Sequence, residues 1–170
     1  SVVDSSITDS IVVAGARVSV HATDDSSILS ISGAVVAYDG SGFGGALALN
    51  QVNQQVHAAI AGSEVMAERL TSVRATANGE IKAFAVGVAG QKSWGLAGSM
   101  AINRLDSTVD ANVSESLVES TRGFVVQADS NGLVESYAGG FAGAGTGAIG
   151  AAVSLNEMDA QIASQIADSI

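Results

Sequence analysis

Displaced by 53 residues, this sequence falls onto itself without a gap, and that period constrains the fold more than any single motif. Asn50, Asn103 and Asn156 share a column, as do Val20, Val73 and Val126, and Ala22, Ala75 and Ala128. Ile28, Ile81 and Val134 match, and so do Leu49, Ile102 and Leu155. Asp25, Asn78 and Asn131 form a turn-type column followed by Ser26, Gly79 and Gly132. Units of this length bury their apolar face only by stacking on their neighbours. The chain therefore reads as one array: a partial unit at 1–14 and repeats at 15–67, 68–120 and 121–170. It opens in mid-repeat and shows no polar capping unit, so the expectation is a piece of a longer array.

The middle repeat gives the local structure. Val73, Ala75, Gly79, Ile81, Ala83, Ala85, Gly87 and Ala89 lie on one parity, with Arg74, Thr76, Glu80 and Lys82 between them. Period two means strand with one buried face. Asn78-Gly79 predicts a bend or reversal, and Gly90 to Gly95 a turn. Met100 and Ile102 take the other parity, and Leu105, Val109, Ala111 and Val113 return to the first. That switch predicts a bulge at Asn103-Arg104. Asn50, Asn103 and Asn156 are then corner residues whose amides pair as a structural ladder.

Ile102, Leu105, Val109 and Val113 also fit a helical stripe, and residues 157–170 include good helix formers. The expected fold is an all-β parallel solenoid (β-helix) of about three repeats, with an α/β solenoid as the alternative. Inward columns of alanine and glycine demand a thin core, because protein interiors do not tolerate voids. Two coils per repeat would give a rod of roughly six or seven coils, ~30 Å long at the inter-strand spacing. The absence of proline suits a chain in which every coil donates hydrogen bonds to the next.

Composition removes several functions. Seven Lys+Arg against 17 Asp+Glu give a formal charge of −10, unsuited to nucleic acid or an anionic membrane surface. With no cysteine, disulfide scaffolds, thiol catalysis and zinc–thiolate sites are excluded. Ala138 to Leu155 carries no charge, but six of its positions are glycine, and the equivalent segment one repeat earlier holds Lys92. No membrane insertion is expected.

The run Gly44-Gly45-Ala46-Leu47-Ala48-Leu49-Asn50-Gln51-Val52-Asn53 returns as Gly98-Ser99-Met100-Ala101-Ile102-Asn103 and Gly150-Ala151-Ala152-Val153-Ser154-Leu155-Asn156. It resembles repeats of very large bacterial surface adhesins of the filamentous-haemagglutinin and autotransporter type, including giant filamentous adhesins. The resemblance covers the whole chain. It implies a β-solenoid stalk, export to the bacterial cell surface, and a part in adhesion through host or cell-surface ligands.

Comparing repeats also searches for chemistry. His21 aligns with Arg74 and Gln127, and His57 with Asp110 and Ala163, so neither histidine recurs. No catalytic residue is assigned, and the chain is not expected to be an enzyme. Asn53, Asp106 and Asp159 share a column, as do Asp9, Gly62, Glu115 and Asp168. Asp106, Asp159, Glu115 and Asp168 are the candidates for calcium, which takes oxygen ligands from several carboxylates. With two coils per repeat, column members would lie ~9.6 Å apart, too far to share an ion. The acids then form a solvated face, and no cofactor is expected. Trp94 lies in the Gly-rich turn, where it either contacts a glycan or covers a gap left by glycines.

The expected function is a structural or adhesive repeat module acting as a stiff spacer. The alternatives are a module that stacks end to end or exchanges strands into filaments, and a polysaccharide-binding or -degrading β-helix.

Overall fold

In the computed structural model, which describes residues 1–170 apart from the side chain of Tyr38, the chain folds into ten β-strands, with no helix among the described residues. Strands β3 (Val18–Tyr38), β6 (Thr71–Gln91) and β9 (Phe124–Ala144) form one parallel sheet. Strands β1 (Val2–Thr8), β4 (Gly42–Ala61), β7 (Trp94–Ser114) and β10 (Gly147–Ala167) form a second. Short strands β2 (Ile11–Ala14), β5 (Glu64–Ala67) and β8 (Leu117–Ser120) form a third. Every partner lies one repeat away: Val20 on Val73 on Val126, Asn50 on Asn103 on Asn156, Val12 on Val65 on Val118. The molecule is a parallel β-solenoid.

One repeat makes one turn, not two. Each turn runs out along a 21-residue strand, returns along one of 20 or 21, and closes through four residues. The expectation of six or seven coils is therefore replaced by three and a fraction, with neighbouring rungs ~4.8 Å apart. The α/β alternative also falls. The helix-forming residues of β10 are strand because each pairs with a residue of β7, and tertiary pairing overrides propensity.

The cross-section tapers. At the wide end the short sheet holds the two long sheets apart, and Val20, Val56, Ile60, Val65, Val73 and Val109 fill the space. In the middle, Val52, Ile81 and Leu105 pack together. Beyond them only Ala48, Ala83, Ala85 and Ala101 fit between the sheets. Toward the tip the two backbones meet. A Cβ on Gly140 would lie 2.5 Å from the Ala151 carbonyl oxygen, and one on Gly44 2.7 Å from that of Val88. The thin core inferred from small inward columns is present, as a blade that projects from a thicker base.

This taper corrects two local expectations. Strand β7 keeps one parity throughout: Ala97, Ala101, Asn103, Leu105 and Val109 all point inward and are buried. There is no bulge at Asn103-Arg104. Met100 lies outward and is 40% exposed, because no large side chain fits between the sheets of the blade. Asn78-Gly79 neither bends nor reverses β6. Gly79 is inward, where a Cβ would meet Leu105 Cδ1 at 2.6 Å; glycine there makes room for leucine.

Candidate functional site

Three polar ladders run along the solenoid axis, and the first is the asparagine column. Asn50 Nδ2 donates to Asn103 Oδ1, and Asn103 Nδ2 to Asn156 Oδ1, both at 2.8 Å. Asn103 is fully buried in the middle of β7, so the column is an internal ladder and not a corner. The ladder stands between the alanine blade and the Leu105 cluster. A second ladder lies outside: Asn131 Nδ2 donates to Asn78 Oδ1 at 3.0 Å, and Asn78 Nδ2 to Asp25 Oδ1 at 2.6 Å.

The third ladder was overlooked in the sequence, although Ser10, Ser63, Ser116 and Ser169 repeat at the same period. Each serine hydroxyl donates to the carbonyl two residues earlier, at 2.7–2.8 Å. The hydroxyls of Ser63, Ser116 and Ser169 also accept the backbone N–H of the serine one rung below, at 3.1–3.2 Å. The residue before each serine holds left-handed backbone: Asp9 (φ 48°), Gly62 (57°), Glu115 (49°) and Asp168 (48°). This is the corner between the long second sheet and the short one. Ser116→Ala should destabilise the fold by about 1–3 kcal/mol, because the buried Ser63 N–H loses its acceptor. A chemical-denaturation midpoint unchanged from wild type would remove the serine ladder from the account.

The four calcium candidates separate into two places. Asp106 and Asp159 are neighbours on adjacent rungs of β7 and β10. Arg104 Nε donates to Asp106 Oδ1 and Oδ2 at 3.0 and 2.8 Å. Glu115 and Asp168 occupy the corner, nine residues on, or ~30 Å along a strand. Column members are one rung, ~4.8 Å, apart and not the ~9.6 Å expected with two coils per repeat, so it is the distance between the two columns that keeps the four acids from one ion. Among the described residues no group of three or more His, Asp or Glu is placed to hold a metal ion. Thermal melting in EDTA and in millimolar Ca²⁺ should give the same midpoint, and a rise with calcium would reinstate a site.

His57 lies between rungs, Nδ1 3.4 Å from Asp4 Oδ2 and Nε2 3.5 Å from Asp110 Oδ2. His21 is exposed on the outer face of β3. Trp94 begins β7 at the blade tip. Its ring covers Gly147 on the next rung, where a Cβ would come within 2.7 Å of Cζ3, and 55% of the residue stays exposed.

The outside of the blade is the largest unexplained surface. On β4, β7 and β10 the outward positions from Phe43 to Leu49, and their equivalents, are apolar or glycine, with Leu47, Leu96, Met100 and Val153 exposed. Beyond them the next outward column is Gln51, Arg104 and Glu157, and the face turns polar. The opposite sheet does the same through Ile31, Val35, Tyr137 and Phe141. Its boundary is the Lys82–Glu80 ion pair, in which the carboxylate raises the ammonium's pKa. Small side chains inside and large ones outside reverse the usual order of a β-sandwich.

Comparison with known proteins finds no matching family model, no matching curated protein and no matching solved structure.

Proposed function

We propose that the chain is a structural repeat module of an extracellular bacterial surface protein or filament, stiff against bending in the plane of its broad sheets and adhesive on its broad sides. The observation that supports this reading most is the uninterrupted 53-residue register across all three sheets. Equivalent rungs can be added without redesigning a core, since solenoid stability is close to nearest-neighbour. Each turn adds only ~4.8 Å of length. The module therefore invests its chain in width, which suits a surface-displaying ribbon better than a slender spacer. The resemblance to large adhesins supports the extracellular placement.

The test is solution scattering and electron microscopy on tandem arrays of increasing repeat number. The long dimension should grow by ~4.8 Å per unit at constant cross-section. Growth in all three dimensions, or a helical circular dichroism spectrum, would overturn the reading.

A second reading is end-to-end stacking. Ile162 and Ile166 on β10 continue the inward columns of Val109 and Val113 on β7. The strand edges there offer the same pairing surface that β7 offers to β10. A polysaccharide-acting module has less support, since the repeats leave no insertion loops to wall a cleft.

A further inference from the structure

We propose that the outer blade face of the β4–β7–β10 sheet docks on the same face of a second copy, the two solenoids lying side by side with parallel axes. This goes beyond the structural role above, because it assigns the exposed apolar surface an occupant.

Three observations select that occupant. The first is size. About eight large side chains near half exposure offer on the order of 800 Å² on this face, above the largest patch of a typical monomer and near one partner's share of a stable interface. The second is shape. Gly45, Gly98 and Ala151 form a furrow along the axis beside the ridge of Leu47, Met100 and Val153. A two-fold axis parallel to the solenoid, through the Ser99 column, sets Met100 of one copy over Gly98 of the other, and reciprocally. Leu96 then opposes Ile102. The third is charge. The same operation brings Arg104 of one copy opposite Trp94 of the other, a cation over an indole face. A bilayer surface would gain nothing from this pairing, and the net charge of −10 repels an anionic one. Because every rung stays level with its counterpart, each further repeat extends the same contact.

Sedimentation equilibrium of the 170-residue chain should show a reversible dimer. Met100→Glu, which places an unpaired carboxylate in the centre of the contact, should weaken it about thirtyfold or more. Arg104→Ala should weaken it about two- to fivefold. Val35→Glu, on the opposite sheet, should leave it unchanged. Each variant is checked by circular dichroism. If Met100→Glu fails to fold, the Leu96→Cys/Ile102→Cys double variant decides. The chain has no other cysteine, and the two sites lie ~20 Å apart along one strand, too far to bridge within a copy. Oxidation should then yield a covalent dimer. A dimer indifferent to Met100→Glu, equal losses in Met100→Glu and Val35→Glu, or no covalent dimer would each overturn the proposal. So would a monomer that floats with phosphatidylcholine vesicles, which would give the face to lipid.

Discussion

Asn103→Ala is expected to destabilise the solenoid by about 2–5 kcal/mol, one of the two largest effects of any single substitution in this chain. Asn103 is completely buried, donates to Asn156 and accepts from Asn50. Alanine removes both bonds, leaves the Nδ2 of half-buried Asn50 without its acceptor, and opens a cavity between the sheets, while Asn156 Oδ1 keeps the Ser136 hydroxyl. The stranded Asn50 amide and the cavity can be separated experimentally. Replacing Asn50, Asn103 and Asn156 together by valine removes donors and acceptors in matched sets. The triple variant should lose less than three times the single loss, since no amide is stranded. Urea unfolding of both variants provides the check. Additive losses would mean that packing, not the amide chain, holds this column.

Ala85→Leu should be comparably damaging for the opposite reason. Ala85 is fully buried between two sheets that leave room only for methyl groups, beside Ala48, Ala83 and Ala101. Overpacking commonly costs about 1–3 kcal/mol where the surroundings can yield. Here they cannot yield locally, because β6 is hydrogen-bonded to a strand on each side and all three would have to shift. A loss at or above the top of that range is expected, visible as a lower thermal midpoint. Ile31→Ala removes as many heavy atoms from the same blade as Ala85→Leu adds, but from its outside, where the residue is 77% exposed. It should change stability by about 0.5 kcal/mol or less. If Ile31→Ala proved the worse of the two, the assignment of inside and outside along the blade would be wrong.

That assignment is also where reading the sequence alone went astray. The period was legible because columns such as Val20, Val73 and Val126 preserve chemistry, and it yields the register of all three sheets. How many turns a period makes was not legible. It depends on where the chain returns to its starting side, and the glycines of Asn78-Gly79 and Asn131-Gly132 suggest a turn while lying in mid-strand. The face of Met100 was misassigned because both parities of the blade are apolar. A rule that puts the larger side chains inside selects the wrong one when backbones nearly touch. The asparagine column was found, since three identical amides in register have few other uses, yet its burial depended on the taper. The serine corner carried the same kind of signal. It was passed over because serine is common in loops and its two bonds are made largely to the backbone. For the calcium candidates the separation along the strand, not the spacing between rungs, was the quantity that mattered.

The tapered cross-section has a mechanical consequence. Strands of 21 residues make each turn ~70 Å across at the usual rise per residue, while paired sheets are ~10 Å thick. Resistance to flexing grows linearly with breadth and with the cube of depth in the loaded direction, so such a body is roughly fifty times more compliant across its thin dimension than across its broad one, taking those two spacings. A long polymer of these units would behave as a plank: it would curl readily over a surface lying flat against it, while refusing to bow sideways.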